Sequence, residues 1–505
     1  MRRLSPTSAA ITSIVIALST GVGAIADEPD GLGVHDREEL LGYARDTWRS
    51  VAAMGDGSEL PVDGLRHLVD GTWRPSPKTS PTDIASYLWS VLAAERLKII
   101  GTDDAHRRLE RALGAMGRLK RDHGFFYQWL DPRTGAVLEQ SPYGGGPIPP
   151  ILSCVDNGWL AAALILVRNT YPPLRERADA LLEPMDFAFF YVAYDAADPR
   201  NHPGQIHGPY RVDRKTFGGF HRLINTEQRI TGYIAIARGQ VPPEHYYRVE
   251  RTLKPGEGKQ SQVPEGEVRT YLGIPVFEGH YTYRGMRIVP SWGGSMFEDL
   301  MVTLFVPEER WAPRSWGVNH PLYVRAQIEH GLVEAGYGFW GFSPACDPTG
   351  GYRTYGVDAI GTDPLGYGSN DDEVRTKPIS ARPSVRFTNG VVTPHASFLA
   401  LRFAPREALE NLRKLKAKFP VYGDHGFMDA VNVTKGVVSD RVLLLDQGMI
   451  MAAIANAVAD DAMRAAFVDE RTEKILRPLI APEEFTAGPA PAGGDVGKSG
   501  SKPSS

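Results

Sequence analysis

Four carboxylates stand where a loop rich in glycine or aromatic residues runs into an apolar helical stretch. They are Asp156 in Ser153-Cys-Val-Asp-Asn-Gly-Trp159, Glu227 in Asn225-Thr-Glu-Gln-Arg-Ile-Thr-Gly-Tyr233, Glu298 in Ser291-Trp-Gly-Gly-Ser-Met-Phe-Glu-Asp-Leu-Met301, and Asp446 in Leu445-Asp-Gln-Gly-Met449. A fifth acid, Asp429, lies just before the last of these in the aromatic loop Gly423-Asp-His-Gly-Phe-Met-Asp-Ala430. Acids at the N-terminal ends of several inner helices would converge on one mouth, interleaved with Tyr127, Trp129, Trp159, Trp292, Tyr337 and Trp340 as candidate binding residues. That set suits hydrolysis of a glycosidic bond: one acid protonates the leaving oxygen while a second carboxylate activates water or attacks.

Each acid also has a plainer reading. Ser153 and Asp156, and again Ser295 and Glu298, have the spacing of a capping box. Asn225 or Thr226 can cap the helix that follows them, leaving Glu227 in its first turn. Asp446 can serve its own helix in the same way. A helix start favours the ionised carboxylate, whereas a general acid needs a raised pKa, so an acid role for Glu227 demands burial or a neighbouring carboxylate. The preceding Phe217-Gly-Gly-Phe-His221 suggests a narrow, partly apolar approach to it. Arg229 is two positions on, roughly 200° around the helix, and is expected to form a structural ion pair away from Glu227.

The elements that must hold these acids are helical. Apolar residues recur at three- and four-residue steps in Arg37–Ala53, Ser80–Lys98, Asp104–Arg121, Asn157–Asn169, Arg175–Asp186, Thr226–Ala237, Pro321–Glu334, Pro394–Arg402, Pro405–Lys416 and Gln447–Val458. Some are apolar all round, as in Trp159–Val167, and others amphipathic, as in His106–Leu119, which calls for an inner layer covered by an outer one. We read an all-α-dominated, double-layered α/α barrel; no clean repeat shows. Alternation in Glu267–Ile288 marks a small β insertion near 267–290, over one rim.

With 505 residues, 42% hydrophobic and 23% charged, the chain can bury a large core, which excludes wholesale disorder. Lys+Arg is 56 against Asp+Glu 60, and no segment concentrates the basic residues, so a nucleic-acid partner lacks its electrostatic footprint. Residues 1–26 read as an export signal: Arg2 and Arg3, an apolar stretch from Ala9, then Ala24-Ile25-Ala26 as the cleavage site. The expected mature protein is therefore secreted or periplasmic, with no stable membrane anchor. It has one domain over 27–485 and a disordered tail from 486 to 505. Cys154 and Cys346 are either bridged or separately buried thiols. No H-E-x-x-H or C-x-x-C spacing occurs, and no metal site is expected.

The segments Ser291–Met301 and Tyr337-Gly-Phe-Trp-Gly-Phe-Ser343 resemble the glucoamylase-like domain of bacterial proteins acting on β-1,2-glucans. Thr226–Pro242 resembles a block in the C-terminal part of cyclic β-1,2-glucan synthases. Val391-Val-Thr-Pro-His-Ala396 and Asp446-Gln-Gly448 have counterparts there and in endo-β-1,2-glucanases. Ser153–Leu160 and Gly124–Trp129 look like a relative of these enzymes. The resemblance runs from about Thr79 to Phe467. It implies a six-hairpin α/α toroid and an exported glycoside hydrolase without cofactor, acting on β-glucan, most specifically a β-1,2-linked one. It also implies Glu227 as general acid, working through a substrate hydroxyl; to this we add, on our own reading, Asp156 or Asp446 as the partner carboxylate, Glu298 as a further catalytic candidate and Asp429 as a substrate-binding one. Glu298 departs from the endo-glucanases, which typically lack it. Two other functions fit the same residues: a glucoamylase-like exo-hydrolase of another glycan, and a non-catalytic exported glycan-binding protein.

Overall fold

The all-round apolar stretches and the amphipathic ones separate into two kinds of helix in the structure. The computed structural model describes residues 31–364 and 387–489, so the expected signal at 1–26 lies outside the described residues. Fifteen α-helices occur among the described residues. The first five are α1 (Val34–Asp56), α2 (Pro81–Arg96), α3 (Thr102–Met116), α4 (Cys154–Thr170) and α5 (Arg175–Leu182). Next come α6 (Arg229–Ala237), α7 (Glu244–Arg248), α8 (Met296–Leu300), α9 (Glu308–Trp311) and α10 (Trp316–Glu329). The last five are α11 (Pro394–Leu399), α12 (Pro405–Lys418), α13 (Leu444–Val458), α14 (Ala462–Phe467) and α15 (Glu470–Ile480).

Helix α2 starts cleanly because Ser80 caps it and Pro81 occupies its first position, and every residue from Pro81 to Ala94 is buried. It packs on α4 and α13, α4 packs on α6, and α11 packs on both α8 and α13. Around them lie α1 against α2 and α13, α3 against α2, α5 against α4, α15 against α6, α10 against α8 and α12 against α11. These outer helices bury one side only, as α3 does with Ala105, Leu109, Ala112, Leu113 and Met116. A buried Leu, Ile or Phe of the inner layer contributes about 1.5–3 kcal/mol, so the inner helices owe their stability to being covered.

Two inner pairs approach closely through glycine. A Cβ at Gly158 on α4 would overlap the Thr231 hydroxyl on α6. A Cβ at Gly448 on α13 would stand 2.8 Å from the Trp89 indole nitrogen on α2.

The chain does carry an internal repeat, contrary to the reading from periodicity. Asp122-His-Gly-Phe125 and Asp424-His-Gly-Phe427 each form a tight two-stranded hairpin after an outer helix, and each leads on to an inner helix opened by Asp156-Asn-Gly158 or Asp446-Gln-Gly448. In both copies the amide after the acid ties helix to hairpin: Asn157 donates to the Phe126 carbonyl and Gln447 to the Phe427 carbonyl. Asp156 and Asp446 thus occupy equivalent places.

The β insertion forms where expected. Glu265–Tyr271 pairs antiparallel with Ile274–Tyr283, which pairs with Met286–Ile288. Gly488–Pro489 adds a fourth strand, and the Thr486 hydroxyl donates to the Glu278 carbonyl at 2.6 Å. The tail expected from 486 is corrected at its start: 486–489 are ordered, with Gly488–Pro489 a strand of the sheet, and 490–505 lie outside the described residues. Helix α6 begins at Arg229, three residues after the expected Thr226, and no described helix is long and apolar enough to cross a membrane.

Candidate active site

Glu227 sits in the turn just before α6, and neither expected cap is formed. The Thr226 hydroxyl has no partner, and the Asn225 amide instead donates to the Val289 carbonyl and the Asp299 carboxylate. The Trp159 indole N–H donates to Glu227 Oε2 at 2.5 Å, and the Glu227 peptide N–H donates to Glu298 Oε2 at 2.8 Å. Burial, then the charges of Glu298 and Asp156, raise the Glu227 pKa well above the usual carboxylate range, although the indole bond opposes them. The condition that a helix-start acid must meet to act as proton donor is fulfilled here by desolvation.

Glu298 does not close a box with Ser295, whose side chain makes no cap bond to α8. Its carboxylate is occupied by the Glu227 backbone, and burial pushes its pKa up to about 7. Arg229 forms the expected structural ion pair, and its partner is Glu308, not Glu227. Its guanidinium meets Glu308 at 2.7 Å and donates to the Glu298 carbonyl at 2.9 Å, tying α6 to α8 and α9. His320 completes this buried network, 3.1 Å from Asp299 and 3.3 Å from Glu308.

Asp156 is capped as expected, its N–H donating to the Ser153 hydroxyl at 3.3 Å. Its carboxylate nevertheless turns inward. Thr82 Oγ1 donates to Oδ1 at 2.6 Å and Gln128 Nε2 to Oδ2 at 3.4 Å, while burial raises its pKa.

Asp446 is buried in the first turn of α13, and the helix has no side-chain cap bond. It pairs with Asp429, which accepts the Cys346 N–H at 2.5 Å. Asp446 Oδ2 and Asp429 Oδ1 have no hydrogen-bond partner, and both imidazole nitrogens of His395, 3.7 Å from Asp446, are likewise unmet. Burial, then Asp429, raises the Asp446 pKa well above the usual range. Burial also lowers His395 to about 3, so the imidazole beside the acids is neutral.

Two contributors were not read from the sequence. Asp83, on α2, is held by Ser80 and pushed up to about 8 by burial and then Asp63; its Ser80-x-x-Asp83 spacing, the same as Ser153-x-x-Asp156, was the available signal. Tyr352 stands cross-strand from Cys346 in a two-stranded hairpin. The residue is 55% exposed, and desolvation of its hydroxyl, with the charges of Asp446, Asp429 and Glu227, raises its pKa. All three acids therefore act on one hydroxyl. No spacing marked Tyr352, since long-range contact alone brings it there.

The aromatic residues divide. Trp292 is half-buried and lines a cavity of about 500 Å³ together with Glu227, Glu298, Thr226, Phe220 and His221. Trp129 is half-buried with the Lys78 ammonium over its ring at 3.6 Å. Trp159 is fully buried, so it positions Glu227 and has no face for a ligand. Tyr127 and Trp340, each 2% exposed, are core residues and not cleft residues. Tyr337 packs against Phe342 at 6.0 Å and sits half-buried beside the core. Cys154 and Cys346 are both free, buried thiols, which decides against a bridge. Among the described residues no cluster of three or more His, Cys, Asp or Glu has the arrangement to hold a metal ion.

A family model described as "Putative glucoamylase" matches residues 270–469, which include Glu298, Asp429 and Asp446. The chain resembles glucoamylase-like proteins. A second model, "Protein of unknown function (DUF3131)", matches 64–189 and includes Asp156, so Glu227 falls between the two. The chain is 29% identical over 623 aligned positions to cyclic beta-(1,2)-glucan synthase NdvB of Rhizobium meliloti (strain 1021), covering 91% of this chain and 19% of the synthase. It thus spans about a fifth of the length of that relative. Among solved structures, an endo-beta-1,2-glucanase from Chitinophaga pinensis, in complex with sophorotriose and glucose, superposes with a TM-score of 0.59. It has 17% identity and covers 88% of this chain and 98% of that one. A beta-1,2-glucanase from Parabacteroides distasonis gives 0.61 at 15% identity, covering 88% and 60%. The likeness to both is one of fold.

Proposed function

We propose that this chain is an exported glycoside hydrolase that cleaves β-glucan, most specifically a β-1,2-linked one, with Glu227 as general acid. The observation that carries this reading is the burial of the Glu227 carboxyl beside Glu298 on the wall of a cavity also lined by Trp292, surroundings that raise its pKa well above the usual carboxylate range. A carboxylic acid kept neutral can deliver a proton to the departing glycosidic oxygen, directly or through a neighbouring substrate hydroxyl. Asp446 is the better partner carboxylate. Both oxygens of Asp156 are occupied by Thr82 and Gln128, whereas Asp446 and Asp429 form a buried carboxyl pair in which one holds a proton and the other stays ionised to accept a proton from water. We read the architecture as a six-hairpin α/α toroid, a reading supported by the packing of α13 back onto α2. The Ala24-Ile25-Ala26 pattern supports export. The β-1,2 linkage draws support from the named relatives and folds.

The test is release of reducing ends from a panel of β-1,2-, β-1,3-, β-1,4- and β-1,6-glucans and α-1,4-glucan by the purified protein. Release from the β-1,2 polymer alone, abolished by Glu227→Gln, is the expected result. Cleavage of an α-glucan, or equal activity in the Glu227→Gln variant, would overturn the assignment.

A further inference from the structure

We propose that Phe220 is the stacking platform for a glucopyranose unit bound beside Glu227, and that His207 and Phe217 are the backing that keeps its ring in place. This inference rests on the glucan-hydrolase reading above and adds a residue that determines how substrate is held.

The three rings form a near-parallel stack. Phe220 and His207 have centroids 4.0 Å apart at 21°, and His207 and Phe217 have centroids 4.8 Å apart at 18°. The stack is pinned at its centre, because His207 Nδ1 lies 2.7 Å from the Gly218 carbonyl and His207 bridges Phe220 through the backbone. Burial lowers the His207 pKa, so the middle ring is a neutral imidazole at ordinary pH. Phe217 forms the outer member, 39% exposed, and leans on Phe189 at 5.1 Å and Tyr210 at 4.9 Å.

With one face covered by His207, Phe220 has one face left. It is half-buried and lines the same cavity as Glu227, Glu298 and Trp292, so that face is the one a cavity occupant meets. A β-linked glucopyranose carries its hydroxyls equatorially and presents C–H bonds on its faces, and the negative face of an aromatic ring attracts such polarised C–H groups. A polar side chain at 220 would hydrogen-bond one sugar position. A buttressed phenyl ring instead accepts the flat face of the sugar and fixes its plane relative to the Glu227 carboxyl. Gly219 leaves the approach unobstructed: a Cβ there would meet nothing within 4 Å.

Steady-state kinetics on the glucan that the wild-type protein cleaves test this, with Phe220→Ala, Phe220→Tyr and His207→Ala compared by thermal melting to confirm folding. Phe220→Ala is expected to raise KM roughly tenfold with kcat within threefold, Phe220→Tyr to restore KM, and His207→Ala to raise KM by an intermediate factor. A Phe220→Ala KM within twofold of wild type, or a fall in kcat alone, overturns the platform. A wild-type protein inactive on every glucan overturns the underlying reading instead. If Phe220→Ala does not fold, a His207→Ala KM equal to wild type overturns the platform on its own.

Discussion

The peptide N–H of Glu227 donates to the carboxylate of Glu298 at 2.8 Å, so one acid is anchored to the backbone that carries the other. The link does two things at once. It fixes the Glu227 turn, which has no helical cap of its own, and it brings a second carboxylate close enough to add to the effect of burial in raising the Glu227 pKa. Position and proton affinity therefore depend on the same contact.

Glu227→Gln should fold with an unchanged melting temperature, since Gln can still accept the Trp159 indole N–H. Turnover of the cleaved glucan should fall by about 10²–10⁴-fold. Initial-rate measurement of reducing ends checks this, and turnover within threefold of wild type would remove Glu227 from the mechanism.

Glu298→Gln should change the pH profile more than the fold. Removing its charge takes away one of the influences that raise the Glu227 pKa, so the basic limb of kcat/KM should move to lower pH. Glu298 itself is raised to about 7 from an ordinary value of 4.5, so the stability it contributes is complete below about 4.5 and is lost as pH rises through about 7. Melting curves of wild type between pH 4 and 8 should show that decline, and the variant should show a shallower one. Equal slopes in both proteins would contradict the assignment.

The Arg229–Glu308–His320 network should behave as a structural core. Arg229→Met leaves Glu308 and Asp299 short of a cation in a fully buried site and should cost about 3–5 kcal/mol in chemical denaturation. Although burial opposes protonation, Asp299 and Glu308 push His320 up to about 9 from 6.5. Its contribution is thus complete below about 6.5 and lost as pH rises through about 9. A His320→Gln protein should therefore match the pH dependence of wild type only above that range; matching it at all pH values would refute the charged imidazole.

Both thiols should be silent in the native protein. Burial raises the pKa of Cys154 and of Cys346, and neither is bridged, so a thiol reagent should label none before unfolding and two after it. One native equivalent would mean that one of the two is open to solvent.

What the sequence revealed follows from the range of the interactions involved. The Ser153 cap over Asp156 was legible because both partners lie within one turn. The equally spaced Ser295 and Glu298 were misleading, since the donor to the Glu298 carboxylate is a backbone N–H 71 positions away that no local pattern can announce. Buried helices were legible from unbroken apolar runs, yet the same runs hid Trp159, because an indole that only fills space and one that also donates to a carboxylate look alike. The repeat around Asp122 and Asp424 went unseen because the loops from each hairpin to its inner helix differ in length, which shifts the alignment of Asp156 with Asp446. Phe220 was noticed only as part of an aromatic approach, as a stack with His207 appears once the chain has folded back on itself.

The close contact of Gly158 with Thr231 works as a gauge block between two parts of the proposed catalytic site. Trp159, the next residue, reaches from α4 to a carboxyl that enters α6, and the length of that reach is set by how near the two helices lie. A methyl group at 158 would not touch an acid, alter a charge or line the cavity. It would wedge the helices apart, stretch the indole from Glu227 and detune the proton donor, so loss of activity in this protein can originate at a residue that has no side chain.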